Sequence, residues 1–435
     1  MKQLDFELPN GLHSGVVATY KDKWLFFAGR TNGLHGFNQD KDNFPPQKQN
    51  IEVYVVDVKS KKVKSRSLTS IGSGLTTTQV DLLSVTSPQY YQESKTLYIT
   101  GGYGVDTSSG LFDTKSALTA VDVPGLIHWV THPDHNETAV QNIRQIFDPI
   151  FQVTGGYMTR IKDHSTLLVF GQNFDGYYLP QSNGVYTEVA RRFKIIDDGN
   201  LLAVEIKASK PLNSDRNYRR RDLNVIPSIE FHEGKWKPYL VALSGVFTSA
   251  GGAWTVPVTI SASGRPSMNN PEGEHTFKQG MNNYICPSPG LYSKHKKIMY
   301  TILLGGISYG YFENGQFETD LELPFINQVT VIERHQKGHF KQYLLDAQYP
   351  VILSTGSNPG NQLLFGAAAD FLPAEGLKFF KNGVIELDYL LKHDKSVTIG
   401  YVVGGIQSTL PNTSSNSDTS ASPYIFKVKL KPQVK

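Results

Sequence analysis

The stretch LYITGGYG, Leu97 to Gly104, ends a run of β-forming residues in a pair of glycines. Apolar and aromatic side chains in this density mark a strand. The glycines mark a backbone turn that side chains would obstruct. Similar endings recur at WLFFAGR (Trp24–Arg30), LLVFGQNF (Leu167–Phe174), LVALSGVF (Leu240–Phe247), MYTILLGGIS (Met299–Ser308) and IGYVVGGIQ (Ile399–Gln407). Taking Gly29, Gly101, Gly171, Gly245, Gly305 and Gly404 as markers, the spacings are 72, 70, 74, 60 and 99 residues. A recurrence of this length signals a repeat architecture. The long interval carries an insertion over about 366–396, around EGLKFFKNGVIELDYLLKHD.

Another strand-like segment precedes the ending in several repeats, as in HSGVVATYKDK (His13–Lys23), LSVTSPQYYQESK (Leu83–Lys95) and LNVIPSIEFHEGK (Leu223–Lys235). The two are joined by short turns of the Lys-Asp or Glu-Gly kind, as hairpins prefer. A second pair follows in most repeats, for example IEVYVVDVKSKKVKSRSL (Ile51–Leu68) and QVTVIERHQKGHFKQYLL (Gln328–Leu345). Four strands per unit, six units and no long amphipathic helix predict an all-β, six-bladed β-propeller occupying 1–435 as a single domain. The closing SPYIFKVKLKP reads as a third strand lacking a fourth and the opening KQLDFELP as a strand without partners, so the N-terminal strand is expected to close the last blade and remove an exposed sheet edge.

The glycine-ended second strand, followed by a third strand ending in aspartate (VYVVDVKSKKV), resembles kelch repeats. These repeats form propellers of the galactose oxidase central-domain type. The Gly-Gly pair is intact in three units; Gly-Gln and Ser-Gly-Val stand in the third and fourth.

Composition limits the functions open to such a fold. Charged residues make up 19% of the 435 residues and the net charge is +4. No basic stripe stands out, so nucleic acid is not an expected partner. The lone cysteine, Cys286, excludes an intramolecular disulfide. No apolar window of spanning length occurs. The start, MKQLDFELPNG, has no apolar signal core. Either a cytoplasmic protein or the mature form of an exported one is expected, and the Ser/Thr/Asn/Tyr-rich surface points to export.

In a propeller the residues before each first strand and after each second strand open on one face. Before the first strands stand His13, Thr86 or Gln89, Gln152, then Arg220, Arg221 and Asp222, then Asn282, Asn283 and Tyr284, and finally Asn361 and Gln362. After the second strands stand Arg30, Asn32, Tyr103, Gln172, Asn173, Phe247, Trp254, Tyr309, Tyr311 and Gln407. Arginines bind carboxylate, sulfate or phosphate bidentately. Amides supply directional bonds, and Trp254 with the tyrosines supplies stacking faces. The ligand set expected from these positions is Arg30, Tyr103, Gln172, Asn173, Arg220, Arg221, Asp222, Trp254, Asn282, Asn283 and Tyr284. It would take a glycan or peptide, anionic in one version. Asp222 would orient an arginine. Two other readings of SDRNYRRRDLNVIPSI (Ser214–Ile229) stay open: arginines pairing with Asp215 and Asp222 to brace a loop, and a nucleic-acid patch.

Other function classes remain. One is a scaffold docking a partner protein. Another is an enzyme on an acidic sugar, for which Asp222 and His13 are the candidate catalytic bases. A third follows from GMNNYICPSPGLYSKHKKIMYTILLGG (Gly280–Gly306), which resembles the copper-radical oxidase segment where a cysteine followed by proline is crosslinked to a tyrosine. Cys286 and Pro287 match that position, and Tyr309 or Tyr311 follows. The resemblance implies two histidine ligands and a second tyrosine; His13 is the one match found. Otherwise Cys286 is a small buried hydrophobe, and no cofactor or metal is expected. THPDHNE (Thr131–Glu137) brings His132, Asp134, His135 and Glu137 close in sequence, a set able to hold a divalent ion. Its spacing fits no standard zinc motif, and its proline points to a solvated loop. DDGN (Asp197–Asn200) and DHS (Asp163–Ser165) are read as hairpin turns. GYGVDTSSGLFDT (Gly102–Thr114) and LPNTSSNSDTSASP (Leu410–Pro423) are read as mobile surface loops.

Overall fold

In the computed structural model all residues are described except Asp40, Pro180, Gln181, Asn183, Glu233, 393–395, Ser414, Asn416 and 432–435, together with the side chains of Lys41 and His232. The chain is all-β. Among the described residues, six sheets carry four or five strands, antiparallel but for one short added strand. The first sheet runs Val16–Tyr20, Lys23–Phe27, Glu52–Asp57 and Lys62–Ser67. The second holds Gln89–Glu93, Thr96–Thr100, Ala117–Asp122 and Ile143–Phe147, and the third Tyr157–Arg160, Thr166–Val169, Ala190–Asp197 and Leu202–Lys210. The fourth holds Asn224–His232, Lys235–Leu243, Val258–Ile260 and Pro266–Met268. In the fifth are Gly290–Ser293, Ile298–Ile307, Phe325–Arg334 and Phe340–Gln348. The sixth takes Asp370–Pro373, Val397–Val403 and Ile425–Leu430, and its fourth place is filled by Lys2–Gln3. Lys2 stands opposite Lys427 and Gln3 opposite Phe426.

The chain divides into two compact units, Leu8–Arg221 and Met1–Glu7 with Asp222–Lys435. In the first, the second strands are buried on both faces. Leu25 and Phe27 pack with Val53, Val55, Leu97 and Ile99, while Tyr98, Leu118, Phe151 and Phe193 form a further layer. Burial on both sides explains why these strands read as continuous apolar runs instead of alternating ones. In the other unit, Leu304, Phe365, Val402 and Phe426 fill one cluster, and Ile226, Tyr239, Cys286 and Leu303 another.

The glycine endings have a common backbone. At each, two consecutive residues take positive φ: Ala28–Gly29, Gly101–Gly102, Phe170–Gly171, Ser244–Gly245, Gly305–Gly306 and Gly404–Gly405. The first of each pair lies at φ 51 to 69°, the ordinary left-handed region, where Ala28, Phe170 and Ser244 are tolerated. The second lies at φ 79 to 104°, and there every repeat has glycine. The repeat marker is therefore the second residue, one place later than expected at Gly101, Gly305 and Gly404. In the Leu8–Arg221 unit this second glycine also bonds to the chain segment that leads out of its sheet. Gly29 N–H donates to the Val85 carbonyl (2.8 Å), Gly102 to Val153 (2.9 Å) and Gly171 to Arg220 (2.9 Å).

Positive φ also recurs just before each first strand, at Ser14, Ser87, Gly155, Asp222, Ile285 and Ala368. The residues preceding these turns pair with the second-strand endings: His13 with Arg30, Thr86 with Tyr103 and Tyr284 with Ile307, as expected, but Thr154 with Gln172 and Ala367 with Ile406, where Gln152 and Asn361 or Gln362 were expected. Asn361 and Gln362 thus lie upstream of the sixth sheet's own turn.

Between first and second strands of the sixth sheet lies the inserted segment. Its Ile385–Glu386 adds a parallel fifth strand to the fifth sheet, and Asp388 accepts from the Ser293 hydroxyl and the Lys294 N–H, both at 2.6 Å. The two polar loops begin as hairpins, Tyr103–Asp106 with Leu111–Thr114 and Ile406–Ser408 with Thr419–Ala421; Ser414 and Asn416 lie outside the described residues. Asp197–Asn200 and Asp163–Ser165 are turns between paired strands. Among the described residues no helix is long and apolar enough to cross a membrane.

Candidate functional site

Arg30 follows directly on the first positive-φ pair, and that turn aims it at His13. Their backbones exchange hydrogen bonds, Arg30 N–H to the His13 carbonyl at 3.0 Å and the reverse at 3.2 Å. The Arg30 side chain is 2% exposed. Its Nε donates to Asn32 Oδ1 (2.9 Å), its Nη2 donates to the Pro45 carbonyl (2.8 Å), and the guanidinium lies 5.1 Å from the Phe44 ring centre. These bonds use part of its five N–H donors. Among the described residues no carboxylate faces it. Burial lowers its pKa to about 10, against a smaller upward influence of the Tyr103 hydroxyl.

Two imidazoles stand by this cation. His13 is 5% exposed, its Nδ1 is 3.1 Å from Ser14 Oγ, and its buried Nε2 has no hydrogen-bond partner among the described residues. Burial first, then the Arg30 charge, lower its pKa to about 3. His35 stacks on Phe44 with centroids 5.1 Å apart and lies 4.5 Å from the Tyr178 ring. Its Nδ1 is 2.9 Å from the Gly36 carbonyl, which assigns the proton to that nitrogen and leaves Nε2 an acceptor. Burial, outweighing the Gly36 hydrogen bond, lowers its pKa to about 4; Arg221 and Arg30 add to the depression. Both rings are neutral at physiological pH, and both arginines act on His35.

The arginine run separates into three roles. Arg219 lies over Tyr186 at 3.9 Å. Arg220 is fully buried, donates to the Asn217 carbonyl (3.3 Å) and has its pKa lowered to about 9 by burial, while its own carbonyl receives Gly171. Arg221 reaches the hydroxyls of Tyr186 (3.3 Å) and Tyr178 (3.5 Å). Asp215 spends its carboxylate on the Asn217 N–H (2.9 Å), which braces the loop.

Tyr103 completes the aromatic wall. Its ring is 5.3 Å from Phe44, its hydroxyl donates to the Gly176 carbonyl (2.8 Å), and burial pushes its pKa up. Gln172 is buried and paired with Thr154, while Asn173 sits half-buried in the short strand opposite Val185. The Leu8–Arg221 unit thus gathers His13, Arg30, Tyr103 and Arg221 around three residues that spacing did not single out: His35, Phe44 and Tyr178. His35 and Tyr178 stand in the aromatic-dense HGF and DGYY, while Phe44, in DNFPP, carried no such signal.

The remaining candidates belong to the other unit. Asn282 and Asn283 are fully buried. Asn282 Oδ1 accepts from Tyr309 N–H (2.7 Å) and Ser308 Oγ (3.1 Å). Asn283 Nδ2 donates to the Gly305 carbonyl (2.8 Å), and its Oδ1 accepts from Thr330 (3.3 Å). Both amides brace the glycine turn. Tyr284 pairs with Ile307, Trp254 N–H donates to the Gly245 carbonyl (2.8 Å), and Asp222 occupies a positive-φ turn position. Cys286 is 6% exposed, burial pushes its thiol up to about 12, and Asn224 Nδ2 lies 3.5 Å from its sulfur.

No family model matches the chain, and no curated protein matches it. Among solved structures, it is similar to one described as "Structure of YjhT", with 12% sequence identity and a TM-score of 0.48, over 98% of this chain and 96% of that one.

Proposed function

We propose that this chain is a ligand-binding protein. Its six sheets are read as the blades of a kelch-like propeller, and the Arg30 site as taking an anionic glycan or peptide. The observation that carries this reading is the burial of Arg30 at 2% exposure with no carboxylate facing it among the described residues. A buried cation is costly until an anion joins it. Beside it, the Phe44, Tyr103 and Tyr178 rings supply apolar faces of the kind that stack on sugars or peptide side chains. Binding fits better than acid–base chemistry, because an imidazole held at about 3 is a feeble base near neutrality. As for the copper-oxidase reading, no group of three or more histidine, cysteine or carboxylate side chains placed to hold an ion includes Cys286 among the described residues.

The test is thermal unfolding of the intact protein against acidic and neutral oligosaccharides and acidic and neutral peptides. An acidic ligand at 100 times its dissociation constant should add about 2.7 kcal/mol of stability. Arg30→Gln, shown to be folded by circular dichroism, should lose that response, while Arg30→Lys should retain part of it. Equal responses to acidic and neutral ligands, or an undiminished response in Arg30→Gln, would overturn the reading. Silence across the panel would move the protein to the partner-scaffold class.

A further inference from the structure

A second cluster of ligating side chains lies at the end of the helix Val123–Thr131. This helix starts at Asp122, whose carboxylate accepts from Gly125 N–H (3.0 Å), with Pro124 in the first turn. Trp129 anchors it, fully buried, beneath the Arg66 guanidinium at 4.5 Å. Arg66 and Lys64 donate to its last carbonyls, Trp129 at 2.8 Å and Thr131 at 2.9 Å. His128 is therefore presented from a fixed backbone.

The chain then folds back. His132 N–H donates to the His128 carbonyl (2.9 Å) and His135 N–H to the His132 carbonyl (3.2 Å), so the loop returns His135 and Glu137 to the helix. Ligand atoms of His128, His135 and Glu137 all lie within 4.8 Å of one another, and His128 Nδ1 is 2.6 Å from Glu137 Oε2. Two donors on one tetrahedral zinc ion, at bonds of about 2.0–2.1 Å, stand about 3.3 Å apart. Small shifts of exposed side chains would reach that geometry. His132 is placed to support the set. Its ring stacks on His128 at 4.1 Å and 22°, and its Nδ1 lies 3.1 Å from Thr131 Oγ1 and 3.2 Å from the His128 carbonyl.

We infer that His128, His135 and Glu137 form a binding site for a divalent ion of the zinc class. Two imidazoles and one carboxylate suit that ion better than calcium or magnesium, which take oxygen ligands. A three-ligand set leaves a fourth position for water. The ion would fasten the 132–137 loop to the helix end. Glu137 thereby exchanges its hydrogen bond to His128 for a shared metal bond. His128 is the ligand that the motif THPDHNE did not contain. Its signal was the spacing of four residues to His132, which puts both on one helical face.

The test uses the full chain without a histidine tag. Zinc titration by calorimetry should show one saturable site per chain. Cobalt substituted for zinc should give the intense visible absorption of a four- or five-coordinate ion. His135→Ala and Glu137→Gln lie on the exposed loop and should keep the native circular dichroism spectrum. Each should weaken zinc binding by at least about tenfold, the scale on which even outer-shell partners act, and abolish the cobalt spectrum. Absence of saturable zinc binding, or binding undiminished in both variants, would overturn the site.

Discussion

His13 and Arg30 face each other across a reciprocal pair of backbone hydrogen bonds, 3.2 and 3.0 Å, and the Arg30 charge helps to hold the His13 imidazole neutral. The pH dependence follows from this pairing. His13 is lowered from 6.5 to about 3 and His35 from 6.5 to about 4. Between those values and 6.5 the unfolded chain binds protons that the folded chain does not. Stability is thus complete above about pH 6.5 and is lost as pH falls through that window. At about 1.36 kcal/mol per unit, each ring should withdraw roughly 2 kcal/mol between pH 7 and pH 5. Urea unfolding at both values should show this loss, and His13→Gln should reduce the slope. An unchanged slope would mean that His13 is not held neutral by the fold.

The repeated turn makes a prediction that separates its two positions. Ala28 sits at φ 56° and Gly29 at φ 79°. A Cβ on Gly29 would intrude on the His13 carbonyl oxygen and the Gly15 backbone. Gly29→Ala should therefore cost about 2 kcal/mol or more. Ala28→Gly loses a buried methyl but relieves left-handed strain, so its net effect should fall within about 1 kcal/mol of zero. Paired denaturant curves measure both; equal costs would contradict the distinction.

Asn283 was expected from sequence to contact ligand, and its buried position assigns it a different test. Removing its amide leaves the Gly305 carbonyl without that bond at 2.8 Å and the Thr330 hydroxyl without its acceptor at 3.3 Å. Asn283→Ala should cost about 2–3 kcal/mol of stability. Provided the variant is folded, affinity for any anionic ligand should be unchanged. A loss of affinity without a loss of stability would return Asn283 to the ligand set.

Cys286 offers a chemical check. The thiolate is the reactive species, and burial holds this thiol up at about 12. Iodoacetamide at pH 8 should leave the native protein unmodified over hours and label it fully in urea, as read by intact mass. Rapid native labelling would require an accessible, activated cysteine, whereas a cysteine that resists labelling even in urea would reopen the oxidase comparison.

What could be read in the sequence and what could not divides along physical lines. Strand endings were legible because a backbone at φ 79 to 104° admits only glycine, whatever surrounds it. The register slipped by one at Gly101, Gly305 and Gly404 because two glycines in a row do not say which is obligatory; Ala28, Phe170 and Ser244 show that it is the second. Arg30 was legible as the residue that follows such a turn, and Arg221 as one of the polar residues before a first strand. His35, Phe44 and Tyr178 were not, because they come from long connections that lack periodicity. Nor does spacing reveal that Asn282 and Asn283 turn inward; that depends on which carbonyls the neighbouring turn leaves unpaired.

The pairing of Lys2–Gln3 with Ile425–Leu430 carries the last prediction. Lys2 stands opposite Lys427, Gln3 opposite Phe426, and Leu4 N–H reaches the Ile425 carbonyl at 2.8 Å. Deleting residues 1–5 would uncover the strand Ile425–Leu430, whose buried Phe426 and Val428 alternate with Lys427 and Lys429. Exposed edges invite strand addition, and lysines on an edge oppose it. The truncated protein should therefore lose about 1–3 kcal/mol, the range expected when a few ladder bonds go, yet keep the full chain's association state by light scattering. Adding Lys427→Thr and Lys429→Thr to the truncation should release association that the same substitutions do not cause in the full chain. If the truncated chain associates as readily with its lysines as without them, charge on the uncovered strand is not what keeps it apart.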